Sequence, residues 1–179
     1  MIETVLELNR IADNKKEEMV QLAMFIFHSQ AKIVTYHQFD RFVYAQAAIL
    51  LSGKIIDMLD SPENIVKEFR KALRKVHKRE GTDNEARIAI EVKKVIEAET
   101  NLMINIGFDL NLFAGITWLY KWDKMLSDSH FSRSAARQIT RLYKTSVVIY
   151  FEPEELALTG IMMAVRESEL TAEISGWKP

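Results

Sequence analysis

Apolar positions recur at intervals of three and four along almost the whole of this chain. Its 179 residues include only six glycines and three prolines, so little interrupts that rhythm. The period predicts an all-α protein. A short helix is expected near 2–11, and D13-N-K-K-E-E starts a second, with Met19, Leu22, Ala23, Ile26 and Phe27 on one face. A third runs over about 41–58 and ends at D60-S-P-E63. There Ser61 is placed as the N-cap and Pro62 as the first-turn proline of a fourth helix, over roughly 62–79. The loop signal E80-G-T-D-N84 precedes a long fifth helix, about 84–106, which stops at Gly107. Three more are expected near 113–127, 131–149 and 153–169. The last opens with F151-E-P-E-E155, proline and acids in the turn where the helix dipole favours them. S146-V-V-I-Y-F151 has strand propensity, but a strand without a partner is not stable, and it is read as a helix end.

The stretch A48-I-L-L-S-G-K-I-I-D-M-L59 departs from the one-sided pattern. Between Phe42 and Ile56, Lys54 is the only charged side chain, and apolar or small residues occupy every side of the wheel. Such a helix is surrounded by protein. Taking an ammonium group out of water costs several kcal/mol, so Lys54 calls for a carboxylate or a route to solvent. The fifth helix offers a counterpart. Val92, Val95, Leu102 and Ile106 form its apolar stripe, and the residue that falls on the stripe between Val95 and Leu102 is Glu99. Two readings follow. Lys54 snorkels from a helix end with Glu99 at a wet margin, or Glu99 is the carboxylate that answers Lys54.

A weak internal repeat aligns A45-Q-A-A-I-L-L-S-G-K54 with A157-L-T-G-I-M-M-A-V-R166. It pairs Ala45 with Ala157, Ala48 with Gly160, Ser52 with Ala164 and Lys54 with Arg166. Small residues at that spacing let a helix approach its neighbours closely. The two segments read as equivalent helices of a duplicated unit.

Charge and composition narrow the functions. A formal net charge of −1 argues against nucleic-acid binding by bulk electrostatics. There are no cysteines, which removes disulfides, thiolate metal sites and cysteine nucleophiles. No apolar run reaches the ~18 residues of a membrane span. The start M-I-E-T-V-L-E-L lacks the basic residues of a signal peptide. The expectation is a soluble intracellular protein. His28, His37, His77 and His130 show no E-x-x-H pairing, and no phosphate loop, nucleophile elbow or zinc spacing occurs. The expectation is therefore a protein that is not an enzyme and uses no cofactor or metal.

Three of these features together resemble the cyclin box, particularly of the transcription-type cyclins T, K, C, H and L. A48-I-L-L-S-G-K54 is similar to the family's A-x-x-L-A-S/A-K, and a P-x-x-I-x-x-x-F helix follows. E99-T-N-L-M-I-N-I-G-F-D-L110 is similar to E-x-x-I-L-x-x-L-G-F-D/E-L. The likeness covers roughly residues 15–166. It implies an all-α cyclin fold with one complete five-helix box over 1–112 and a shortened second repeat over 113–179. It also implies a nuclear protein that binds and activates a cyclin-dependent kinase catalytic subunit, acting in RNA polymerase II transcription. Lys54 and Glu99 match the family's kinase-holding pair, with Ile55, Met103, Phe108 and Leu110 as apolar neighbours. Ordinary core packing is the alternative for those four.

Some positions depart from the family. Only Asp57 stands where one or two acids usually follow the lysine, and Gly53 replaces a serine or alanine at a propensity cost of about 1 kcal/mol. No M-R-A-I-L patch is found, which favours a transcriptional over a cell-cycle role. The segment K67-E-F-R-K-A-L-R-K-V-H-K-R79 carries eight basic or potentially basic residues. Arg70, Arg74, Lys75, Lys78 and Arg79 are candidate contacts for an anion or nucleic acid there, against a solvated helix face. Arg133, Arg137, Arg141 and Lys144 form a second basic stripe. That stripe supports one alternative, a cyclin-fold general transcription factor that binds nucleic acid; a scaffold that holds a kinase without activating it is another.

Overall fold

The computed structural model describes residues 13–33, 40–58, 60–77, 84–109, 112, 114–123 and 129–176. Among the described residues there are seven α-helices, one turn of 3-10 helix and no strand. The protein is all-helical, as the apolar period predicts. The chain divides into two compact units, Met1–Leu112 and Phe113–Pro179.

The first unit contains α1 (Asp13–Ile33), α2 (Arg41–Ile55), α3 (Pro62–His77) and α4 (Glu85–Asn105). The helix expected over 2–11 lies outside the described residues. Helix α2 packs against each of the other three. Every residue from Ala45 to Gly53 is buried, as expected of a helix apolar on all sides. Alanine at 45, 47 and 48 keeps its surface low, so neighbouring helices approach closely. Ile26 of α1, Ile49 and Leu51 of α2, Phe69 of α3 and Leu102 of α4 are fully buried in this core. Each contributes about 1.5–3 kcal/mol by leaving water. Half-buried His28 on α1 is held below the usual histidine pKa by desolvation.

The ends of these helices are set by named residues. Asp40 caps α2, its carboxylate accepting from the Phe42 and Val43 backbone N–H groups at 3.1 and 3.3 Å. Ser61 Oγ accepts from Asn64 N–H at 3.1 Å ahead of Pro62, as read from the sequence. Helix α2 ends at Ile55 and not at 58. The Met58 N–H returns to the Gly53 carbonyl at 2.7 Å and the Asp57 N–H to the Lys54 carbonyl at 3.3 Å. This is a Schellman motif with Asp57 at the left-handed position, φ 56°. Gly53 has a structural reason too. A Cβ there would stand 2.7 Å from the Met58 carbonyl oxygen, so the helix-propensity cost of glycine is the lesser one.

The second unit contains α5 (Gly115–Asp123), α6 (Ser129–Tyr143), a 3-10 turn (Ser146–Ile149) and α7 (Pro153–Gly176). The single helix expected over 131–149 is broken. Thr145 is extended, φ −115° and ψ 162°, and caps the 3-10 turn by accepting from the Val147 N–H. The run T145-S-V-V148 combines β-branched residues with hydroxyls that bond their own backbone, and both disfavour continuing a helix. Helix α7 runs past the expected 169. Tyr143 is buried and its hydroxyl accepts from the Gly115 N–H at 2.8 Å. Burial pushes its pKa up to about 12, against the opposing pull of that bond.

The repeat seen in the sequence holds on one face only. Ala157, Gly160 and Ala164 of α7 are buried like Ala45, Ala48 and Ser52 of α2, and Arg166 is exposed like Lys54. Leu158 and Met162 are nevertheless 53% and 65% exposed, so α7 is not surrounded as α2 is. Among the described residues no helix is long and apolar enough to cross a membrane.

Candidate partner-binding site

Lys54 and Glu99 come together. The Lys54 Nζ lies 2.5 Å from Glu99 Oε1, with the lysine side chain 47% exposed and the glutamate 10%. The pair joins α2 to α4. Glu99 stands on the apolar stripe between Val95 and Leu102, which are fully buried, and so opens one carboxylate edge at the margin of the core. Lys54 is one residue from the end of α2, where its stem leaves the core and its charge complements the helix dipole. It is therefore a rim residue and not an interior charge. An ammonium has three donors. One is directed to Glu99, and nearly half of the side chain faces outward.

The turns behind the pair share one design. Helix α4 closes with the Phe108 N–H on the Met103 carbonyl at 2.9 Å and the Gly107 N–H on the Ile104 carbonyl at 3.0 Å. That is a second Schellman motif, with Gly107 at φ 65°. Phe108 follows at φ 57°, a conformation a bulky side chain rarely adopts, and it is 63% exposed. Core packing, the alternative for Phe108, is thereby overturned. Ile55 and Met103 are half-buried against the core with one side open. Leu110 lies outside the described residues. Asp57 faces solvent, and its place in the α2 turn gives it a structural task independent of any partner.

One arrangement was not visible in the sequence. Arg70 of α3 directs Nε and Nη2 to Glu91 Oε2 of α4 at 2.7 and 2.5 Å. Gln46 of α2 donates to Glu91 Oε1 at 2.8 Å and to the Phe42 carbonyl at 3.1 Å. These partners are 21 and 45 residues from Glu91, spacings that no single-helix pattern reveals. Gln46 in an otherwise apolar run was the available signal.

The basic candidates separate. Arg70 is committed to Glu91, Arg74 is half-buried, Lys75 is exposed, and Lys78 and Arg79 lie outside the described residues. Arg133, Arg137, Arg141 and Lys144 are all exposed, and Arg141 donates to Gln138 Oε1 at 3.2 Å. Among the described residues no cluster of three or more histidine or acidic side chains is placed to hold a metal ion.

Lys54 and Glu99 thus form an anchored charge pair, and Phe108 is an exposed aromatic in the turn that follows α4. A lysine ammonium and a carboxylate edge in this setting have the chemistry to meet backbone carbonyls and N–H groups of a second chain. No family model matches the chain, and no curated protein matches it.

Proposed function

We propose that this chain is a cyclin-like regulatory subunit, with the cyclin fold, that binds a cyclin-dependent kinase through Lys54, Glu99 and their apolar neighbours. The single observation that carries the reading is the Lys54–Glu99 pair at 2.5 Å on the rim of the first unit, at the two positions that resemble the family's kinase-holding pair. Phe108 supports it. A 63% exposed aromatic in a left-handed conformation is tolerated where the surface has a use for it. By linkage, such a subunit activates by binding the kinase arrangement in which the αC glutamate reaches the β3 lysine more tightly than the inactive one. A transcriptional role in the nucleus is the corresponding proposal for place and process.

The test is co-purification of the wild type and Lys54→Glu from a native extract, with partners identified by mass spectrometry and kinase activity assayed on a polymerase-tail peptide. Reversing the charge places two carboxylates together and is expected to weaken capture by about 2–5 kcal/mol, with the helical circular dichroism of the free protein retained. A kinase recovered equally with both proteins would remove the pair from the interface. A kinase recovered without activity would leave a scaffold. The exposed basic face of α6 favours one other reading, a nucleic-acid-binding factor. Nucleic acid or polymerase subunits recovered with both proteins, and no kinase with either, would select it.

A further inference from the structure

Helix α7 is apolar on two faces. On the inner one, Leu156, Ala157, Gly160 and Ala164 are buried where α7 packs on α5 and α6. Gly160 sets how close that packing is, since a Cβ there would collide with Ile139 of α6. On the outer one, Leu158, Met162 and Val165 recur at four and three, so they line the side opposite Gly160, and all three are exposed. From Leu156 to Val165 no side chain is charged. The same is true of α2 from Ala45 to Gly53, and every residue of that run is buried. A helix that is apolar all round is one that protein surrounds. The middle of α7 has that composition and is covered on one side only.

The ends of the outer stripe carry opposite charges. Glu155 stands at one end and Arg166 at the other, and both are exposed. They are eleven residues apart, close to three full turns, so they lie on the same edge of the stripe about 16 Å from each other. Within one copy they are too distant to meet. Two copies laid antiparallel, with a two-fold axis near the level of Ile161, bring Arg166 of each beside Glu155 of the other. The same operation sets Leu158 of each beside Val165 of the other. A parallel pairing instead places Glu154 and Glu155 of one copy beside those of the other, and like charges so juxtaposed oppose association.

We propose that the outer stripe of α7 is the interface of a homodimer, in which two copies of this helix pack antiparallel through Leu158, Met162 and Val165 and close each end with an Arg166–Glu155 pair. A two-fold interface uses one patch twice, so the patch must complement itself. An apolar stripe with opposite charges at equal distances from its centre meets that condition with no second sequence. A lipid surface fits less well, because helices that lie on membranes are rich in lysine and arginine, whereas the glutamates of α7 outnumber its single basic residue, Arg166. One helix face per copy is a small interface, and the expected Kd is on the order of 10 μM. The inference does not depend on the kinase reading.

The test is equilibrium sedimentation of the purified full chain over about a hundredfold range of concentration around that value. A reversible monomer–dimer equilibrium is expected. Met162→Lys, an exposed residue whose replacement leaves the inner face intact, should weaken it about tenfold or more. Arg166→Glu should weaken it less, and adding Glu155→Arg to Arg166→Glu should recover most of that loss. Glu155 also accepts from the Glu152 N–H at 2.9 Å, so the recovery in the double variant, and not the loss in Glu155→Arg alone, is the decisive reading. Lys54→Glu should leave the equilibrium unchanged. Four outcomes would overturn the proposal. They are a monomer at every concentration, which would leave the stripe to a different chain; a dimer indifferent to Met162→Lys; no gain in the double variant over Arg166→Glu; or a monomer that instead sediments with phosphatidylcholine vesicles through Met162.

Discussion

Helix α4 carries two glutamates that each meet a cation from another helix, and the two pairs differ in how completely they are closed. Glu91 accepts from both Nε and Nη2 of Arg70 and also from Gln46, and the Arg70 and Glu91 side chains are only 25% and 19% exposed. Three helices meet there, and the geometry leaves little for an outside molecule to add. Glu99 meets a single lysine Nζ, and that lysine is 47% exposed. The first pair is a tie within the unit. The second is tied on its buried side and open on the other.

Removing the closed pair should have the largest effect. Glu91→Ala leaves a mostly enclosed guanidinium without its carboxylate and takes away one acceptor of the Gln46 amide, a loss of about 3 kcal/mol in a denaturant titration. Lys54→Ala removes a half-exposed partner and should cost about 1 kcal/mol or less. Equal losses in the two titrations would erase the distinction.

Glu99→Leu sharpens the comparison from the other side. The carboxylate occupies an apolar stripe and is 8% exposed, so a leucine of similar size is expected to raise the stability of the free protein by about 1 kcal/mol. The same variant should lose partner capture. Stability and binding moving in opposite directions is the mark of a residue kept for recognition. A destabilised Glu99→Leu would place Glu99 with Glu91 among the internal ties.

What the sequence made legible follows from the range of the interactions. The helices were readable because their signals are local: Ser61 before Pro62, small residues through α2, Gly107 after α4. Glu99 was readable because a charge on an apolar stripe is a local anomaly. Helix 131–149 was misread at Thr145 because its apolar period continues across the break while capping chemistry ends the helix. The Arg70–Glu91–Gln46 tie depends on which faces of three helices meet, and no window of one helix contains that. Asp57 shows a further limit. Its type invited a role in binding, whereas its backbone, at φ 56°, gives it the task of ending α2.

That last residue allows the smallest and most discriminating change. In α4 the left-handed position of the Schellman turn is Gly107, whereas in α2 the equivalent position is Asp57. An aspartate adopts that conformation more readily than most residues but still bears a Cβ penalty that glycine lacks. Asp57→Gly should therefore stabilise the free protein by about 0.5–1 kcal/mol, read as a small rise in the denaturation midpoint. The substitution also removes an exposed carboxylate three residues from Lys54 without altering the Lys54–Glu99 contact. If the turn is the whole of its task, capture of the partner stays at the wild-type level. If capture falls while stability rises, Asp57 itself faces the partner, and the open side of the charge pair extends onto the turn that follows it.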